Sequence, residues 1–150
     1  MNAAAPFGGR VYLADKSAWS WADRLPDDTR REWQEAITQG LIATSPIAML
    51  EILYSATSAA NFEMWRQRLA ALPVYLPPNR RICQLALDAY AQLAEKGQHR
   101  GVSLPDVVLA ATAHTAGIGV LHYDSDFDRL SSQTSLNFES RWIAPRGSIS

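Results

Sequence analysis

Two carboxylates stand alone in otherwise apolar stretches of this chain. Glu51 is the only charged residue across positions 36–62. Asp106 is the only formally charged residue across positions 101–123. Burying an unpaired carboxylate costs several kcal/mol of folding free energy unless the group takes up a proton. Each acid therefore needs a cation, a strong hydrogen-bond donor or a water-filled cleft, although a structural ion pair or exposure to solvent would also explain Glu51 alone.

Two more acids follow short apolar runs. Asp15 follows the run 11–14, and Asp124 follows the run 120–122. Both runs predict buried strands, so both acids are expected where a strand ends. Asp126 lies two residues further on and is a further candidate for the same group. Turn formation or helix capping would explain each of these aspartates taken singly, because Asp bonds readily to its own loop backbone.

The elements that must position these acids alternate along the chain. Short apolar runs predict strands, and the mostly amphipathic stretches between them predict helices. Parallel strands joined by helices favour a three-layer α/β/α domain with a central parallel sheet of four to five short strands. The predicted strands are residues 11–14, 41–44, 74–76 and 120–122, with a fifth within 136–143, and the predicted helices are 17–23, 29–40, 45–56, 61–71, 82–96 and 103–116.

This sheet is expected to bring the acids together, because the crevice of a parallel sheet lies beyond the carboxyl ends of its strands. Glu51 falls in the second turn of a helix that leaves one strand and is apolar on every side, which predicts burial. Asp106 falls in the first turn of a helix that leads into another strand. With Asp15 and Asp124 they form a candidate catalytic group. Clustered carboxylates repel unless a cation neutralises them, and oxygen ligands favour Mg²⁺ or Mn²⁺ over Zn²⁺.

Two of these positions also have simpler structural explanations. Asp106 lies three residues after Ser103, so it could be the acidic half of a capping box. Ser17 could be the N-cap of a short helix, or it could donate a hydrogen bond to Asp15 and support that acid. Capping and turn formation do not predict that acids from four separate segments share one edge of a sheet.

Length and composition exclude several classes of protein. The 150 residues suit a single domain over 11–150, and a net charge of −1 argues neither for nor against nucleic acid. One cysteine excludes a disulfide framework, and no apolar run approaches the about 20 residues that span a bilayer. Residues 1–9 have neither the basic nor the apolar segment of a signal peptide. We therefore expect residues 1–10 to be a flexible N-terminal extension, and the protein to be cytoplasmic.

Four short motifs carry the acids. In chain order they are Leu13-Ala-Asp15-Lys-Ser17-Ala, Glu51 in its apolar helix, Ser103-Leu-Pro-Asp106-Val-Val-Leu-Ala-Ala and His122-Tyr-Asp124-Ser-Asp126-Phe-Asp128. In order, spacing and flanking residues they resemble the PIN-domain family, and in particular the VapC-type toxins of bacterial toxin–antitoxin pairs. The resemblance covers residues 11–143. Family members often carry Thr where Lys16 stands, so this lysine departs from the pattern.

The resemblance implies a function, a cofactor and partners. It implies a metal-dependent endoribonuclease toxin, commonly a homodimer, that a small VapB-type antitoxin inhibits by inserting a segment into the cleft. It also implies Mg²⁺ or Mn²⁺ held by Asp15, Asp106 and Asp124. Asp126 would be an extra ligand, and Glu51 would ligate through water or orient the nucleophile.

RNA must be drawn to an acidic site, so cationic side chains are expected around it. Lys16, Arg100 and Arg129 are candidate RNA-binding residues, and Lys16 would either contact a phosphate or temper the acidic cluster. Two alternatives remain open at this stage. One is a catalytically silent PIN-like module that binds protein or RNA, against which the presence of all four acids argues. The other is a DNA-directed member of the same fold, which the catalytic residues do not separate from a ribonuclease.

Overall fold

A sheet of five parallel strands lies at the centre of the computed structural model, which describes residues 4–149. The strand order is β3-β2-β1-β4-β5, and helices cover both faces, which confirms the predicted three-layer α/β/α fold. The strands are β1 (Tyr12–Ala14), β2 (Ile42–Thr44), β3 (Val74–Tyr75), β4 (Gly119–His122) and β5 (Ser140–Trp142). The helices are α1 (Lys16–Trp21), α2 (Asp27–Thr38), α3 (Pro46–Tyr54), α4 (Ala59–Ala70), α5 (Arg80–Glu95), α6 (Leu104–Ala116) and α7 (Asp126–Gln133).

The short central strands contact two hydrophobic cores, one on each face of the sheet. In β1, Leu13 packs in one hydrophobic cluster, whereas Tyr12 and Ala14 pack in the other. The first cluster includes buried residues of α5, α6 and α7, and the second includes buried residues of α1, α2 and α4. Successive strand side chains point to opposite faces of a sheet. A strand covered on both faces is therefore apolar throughout, which is why these strands were predictable.

The helix α3 is less buried than its sequence predicts. Ala48 and Ile52 are buried, but Leu50 is 65% exposed and Tyr54 is 89% exposed. A helix on the outer layer of an α/β/α fold buries one stripe of residues three or four apart and leaves the opposite stripe outside. The prediction that α3 is buried on every side was therefore wrong. The fold leaves an apolar surface on the helix that carries Glu51.

Two residues of the predicted N-terminal extension, Pro6 and Phe7, are buried, whereas its other described residues are exposed. Residues 1–3 lie outside the described residues, whereas Pro6–Gly9 forms short helical turns. Phe7 is 2% exposed, and its ring meets Tyr12 edge-on with the centroids 6.1 Å apart. Its N–H donates a hydrogen bond to Glu32 Oε2 at 3.1 Å. Burial of this aromatic ring opposes the expected flexibility of residues 6–9.

α2, α4 and α5 each begin two residues before their predicted starts, and one observed helix was not predicted. α2 begins at Asp27 with Pro26 at its N-cap, so the helix starts before Thr29. α7 was not predicted, because its eight residues are mostly polar and bury only Phe127 and Leu130. No helix within residues 4–149 is long and apolar enough to cross a membrane.

Candidate active site at the carboxyl edge of the sheet

Asp15 lies where β1 ends and caps the helix that follows. Its Oδ2 accepts hydrogen bonds from Ser17 N–H at 3.0 Å and from Ser17 Oγ at 2.7 Å. Ser17 Oγ also accepts the N–H of Tyr123 at 2.8 Å, so it joins the ends of β1 and β4. The N-cap of α1 is Asp15 and not Ser17. The structure therefore supports the second explanation for Ser17, in which its side chain donates a hydrogen bond to Asp15.

Asp106 lies in the first turn of α6, where Ser103 is the N-cap. Ser103 Oγ accepts the N–H of Asp106 at 3.4 Å, which is half of a capping box. The other half is missing, because Ser103 N–H donates to Asp126 Oδ2 at 3.0 Å and not to Asp106. The Asp106 side chain is 3% exposed, and its Oδ2 has no hydrogen-bond partner among the described residues. Capping therefore does not explain this buried carboxylate.

Glu51 approaches the same edge from the second turn of α3. The side chain is half-buried, and Oε1 is buried with no hydrogen-bond partner among residues 4–149. Burial raises the pKa of Glu51, the negative charges of Asp15 and Asp124 raise it further, and the positive charge of Lys16 lowers it. The positive charge of Lys16 therefore offsets part of the repulsion at Glu51.

The predicted acids converge in two groups that share Asp106. One ligand oxygen each from Asp15, Glu51 and Asp106 lie within 4.8 Å of one another. The same is true of Asp106, Asp124 and Asp126. Asp126 N–H donates to Asp124 Oδ1 at 3.0 Å, which holds the second group together. We call the five residues Asp15, Glu51, Asp106, Asp124 and Asp126 the acidic site.

The acidic site is electrostatically unsatisfied. Burial, followed by the charges of Asp15 and Asp124, raises the pKa of Asp106 from its ordinary value of 3.8 to about 9. Burial is also the largest cause that raises the pKa of Asp15. The four ion pairs found among residues 4–149 are made by other acids, and none includes a residue of the acidic site.

The acidic site fits a divalent cation. Its donor atoms are all carboxylate oxygens, which Mg²⁺ and Mn²⁺ prefer. Two of them, Glu51 Oε1 and Asp106 Oδ2, are buried and lack partners among the described residues. A bound cation would supply the missing partner and would lower the raised pKa values of these groups.

Two candidate RNA-binding arginines lie on neighbouring segments beside the acidic site. Arg100 is in the short 3₁₀ turn His99–Gly101, and Arg129 is in α7; both side chains are exposed. The guanidinium of Arg129 packs against Gly101, where even a Cβ would collide with it. The absence of a side chain at position 101 therefore lets the Arg129 guanidinium pack on this turn.

One residue of this region was not recognised from the sequence. His122 is fully buried at the end of β4, and its Nδ1 accepts the N–H of Asp124 at 3.0 Å. Burial lowers the pKa of His122 to about 4, so its ring is neutral at pH 7. The one available signal was its position at the end of a predicted strand, two residues before Asp124.

Known proteins resemble this chain in both sequence and fold. The family model described as PIN domain matches residues 12–132. Ribonuclease VapC2 of Mycobacterium tuberculosis (strain CDC 1551 / Oshkosh) is 40% identical over 132 residues, which are 85% of this chain and 90% of that protein. Ribonuclease VapC18 of Mycobacterium tuberculosis (strain ATCC 25618 / H37Rv) is 37% identical over 142 residues, 93% of this chain and 99% of that protein. In fold, a chain from DNA-bound VapBC of Salmonella typhimurium has a TM-score of 0.69 at 19% identity, covering 90% of this chain and 99% of that one.

Proposed function

The chain belongs to the PIN-domain family, and from that premise we propose that it is a metal-dependent endoribonuclease toxin controlled by an antitoxin. The nuclease would be a single domain over residues 11–150, as the one continuous sheet supports. Its relatives at 40% and 37% identity are ribonucleases by name, and they match most of the chain.

One observation carries the proposal: Asp106 is shared by two groups of three carboxylates that have no cationic partner among the described residues. An arrangement that served stability alone would pair or expose these acids, because buried unpaired carboxylates destabilise the fold. We propose that Asp15, Asp106 and Asp124 hold Mg²⁺ or Mn²⁺, with Glu51 and Asp126 completing the two groups. A bound divalent cation would polarise the scissile phosphate and make water a stronger nucleophile.

The other roles follow from position. Glu51 has one oxygen without a partner at the cleft, so it is suited to orient the attacking water and accept its proton. Lys16, Arg100 and Arg129 would bind RNA phosphates near the site, because an acidic site repels its substrate unless cations offset the repulsion.

The proposal is tested by incubating the purified protein with a labelled RNA and with a DNA of the same sequence, each with Mg²⁺, Mn²⁺ or excess chelator. We expect cleavage of RNA with either metal and none with chelator. Cleavage that continues unchanged in chelator would reject the metal mechanism. Preferential cleavage of DNA would indicate the DNA-directed alternative, and binding of RNA without cleavage would indicate the silent module.

A protein partner is expected at the apolar surface of α3. Leu50 and Tyr54 are exposed one turn apart, beside the acid Glu51. We propose that the VapB-type antitoxin covers this surface and so reaches the cleft. Tyr54→Asp should weaken antitoxin binding while the free variant still cleaves RNA. Unchanged binding would place the antitoxin elsewhere.

We also propose that the free protein is a homodimer, as the resemblance to VapC-type toxins implies. Light scattering of the purified chain would give its mass directly. A mass of 16.6 kDa at micromolar concentration would contradict the dimer.

A further inference from the structure

A chain of hydrogen bonds runs from the edge strand β5 to the acidic site. Asp128 accepts hydrogen bonds from Trp142 Nε1 at 2.9 Å and from Ser140 Oγ at 2.7 Å. Ser140 Oγ is 2.7 Å from His122 Nε2. His122 Nδ1 accepts the N–H of Asp124 at 3.0 Å. The ring of His122 is thus the link between the outer strand and the backbone of a proposed metal ligand.

The partners determine which ring nitrogen carries the proton. Ser140 Oγ has one proton and gives it to the Asp128 carboxylate, which can only accept when ionised. His122 Nε2 must then donate to Ser140 Oγ, so Nε2 carries the hydrogen of the neutral ring. Nδ1 is left as the acceptor that the Asp124 N–H requires. Every donor in the chain meets an acceptor, and the bonds from Asp124 through His122 and Ser140 are all donated toward Asp128.

Packing prevents the His122 ring from turning away from this arrangement. The ring is 0% exposed and stacks on Phe127 with the centroids 5.0 Å apart. Trp142 meets it edge-on at 5.1 Å. A rotated ring would leave both the Asp124 N–H and Ser140 Oγ without these partners, which costs free energy for buried polar groups.

We infer that His122 is a positioning residue: it fixes the backbone of Asp124, and thereby aims that carboxylate at Asp106 and Asp126. The inference rests on the proposed function, because its effect is exerted on the metal site. Asp124 follows the strand in a short turn, where its backbone N–H donates to His122 and its Oδ1 accepts the N–H of Asp126. Residues that support metal ligands typically change metal affinity or activity by about 10–100-fold when they are lost.

Two substitutions separate the nitrogens of His122. In His122→Asn the amide oxygen can take the place of Nδ1 and accept the Asp124 N–H, but the contact with Ser140 is lost. In His122→Gln the amide nitrogen can reach Ser140, but the acceptor for Asp124 is lost. Asn also removes more side-chain volume than Gln, so packing alone ranks Asn as the more damaging change. For metal binding, the positioning role of His122 instead makes His122→Gln the more damaging change.

The test measures Mn²⁺ affinity by electron paramagnetic resonance, together with melting temperature and RNA cleavage. We expect His122→Gln to lose about 10–100-fold in Mn²⁺ affinity and His122→Asn to keep most of it. His114→Gln is a matched control, because His114 Nδ1 also accepts a backbone N–H, from Asn137 at 2.8 Å, outside the acidic site. That control should leave Mn²⁺ affinity unchanged.

The outcomes separate the inference from the proposed function. A parent protein that binds no Mn²⁺ would overturn the metal site and the inference with it. A parent that binds Mn²⁺, with affinities of the two His122 variants that simply follow their melting temperatures, would overturn only the positioning role. Retained Mn²⁺ affinity in His122→Asn and reduced affinity in His122→Gln, with His122→Asn no more stable than His122→Gln, would support it.

Discussion

The two ends of the central sheet treat their carboxylates in opposite ways. At the amino end, Glu139 Oε2 accepts hydrogen bonds from the buried Tyr12 hydroxyl at 2.6 Å and from Arg10 at 3.5 Å. Arg141 adds a hydrogen bond to the same hydroxyl at 3.2 Å. At the carboxyl end, five acids converge with no cation bound to them among residues 4–149, and Asp106 Oδ2 has no partner there.

The contrast shows which end is arranged for stability. Glu139 has the hydrogen bonds and the cation that a carboxylate near a core needs. The acidic site lacks them. The raised pKa values of Asp15, Glu51 and Asp106 show that the fold disfavours the ionised forms of these side chains. A fold keeps such a site where a ligand supplies the missing charge. Four measurements test this difference between the two ends of the sheet.

The largest effect is expected from Asp106→Asn. The variant keeps the shape of the side chain but removes the charge shared by both carboxylate groups, so RNA cleavage should fall by about 100-fold or more. The metal-free variant should be at least as stable as the parent, because repulsion among the acids is relieved. Cleavage rates and metal-free melting temperatures measured side by side check both. A less stable but fully active variant would reject the site.

The second expectation concerns pH and metal removal. Asp106 has a folded-state pKa near 9, above its ordinary value of 3.8, so it contributes stability below about pH 4 that is lost as the pH rises toward 9. In chelator, Asp106→Asn should therefore become increasingly stable relative to the parent between these pH values. Mn²⁺ at about 100 times its Kd should raise the free energy of unfolding of the parent by about 2.7 kcal/mol. Denaturant titrations of both proteins across this pH range measure the difference between their free energies of unfolding. A difference that does not change with pH would contradict the expectation.

A smaller effect is expected from Lys16→Ala. Loss of a phosphate contact should weaken RNA binding several-fold and lower the salt slope of the binding constant by about 1. Lys96→Ala is the matched control, because Lys96 Nζ binds the carbonyl of Gln133 outside the acidic site. Filter binding at several salt concentrations measures both variants. A loss of turnover with unchanged RNA affinity would instead assign Lys16 to the chemical step.

The smallest effect is expected at the opposite end of the sheet. Glu139→Gln keeps an acceptor for Tyr12 but removes the charge that faces Arg10, so the free energy of unfolding should fall by about 1 kcal/mol. RNA cleavage should be unchanged. Chemical denaturation and a cleavage assay check the pair of outcomes. A marked loss of cleavage in this variant would mean that the two ends of the sheet are not separate in function.

Much of the architecture was predictable because parallel strands buried on both faces are apolar runs. The strands β1, β2 and β4 were located within one residue of their observed ends. α7 was missed, because eight mostly polar residues carry too few apolar positions to show helical spacing. The exposed stripe of α3 was missed for a different reason: Leu50 and Ile52 are equally apolar, and only the neighbouring elements determine which one is covered.

That Asp15, Glu51, Asp106 and Asp124 meet at one edge was predictable from the sequence, because the alternation of apolar runs and helices indicates parallel strands, whose carboxyl ends share one edge of the sheet. The tertiary structure alone decided how each acid is partnered. Ser103 N–H goes to Asp126 and leaves Asp106 without a capping bond, and His122 accepts the N–H of Asp124. Hydrogen bonds between distant segments depend on distances of a few tenths of an ångström, which residue types and spacing do not encode until the whole chain has packed.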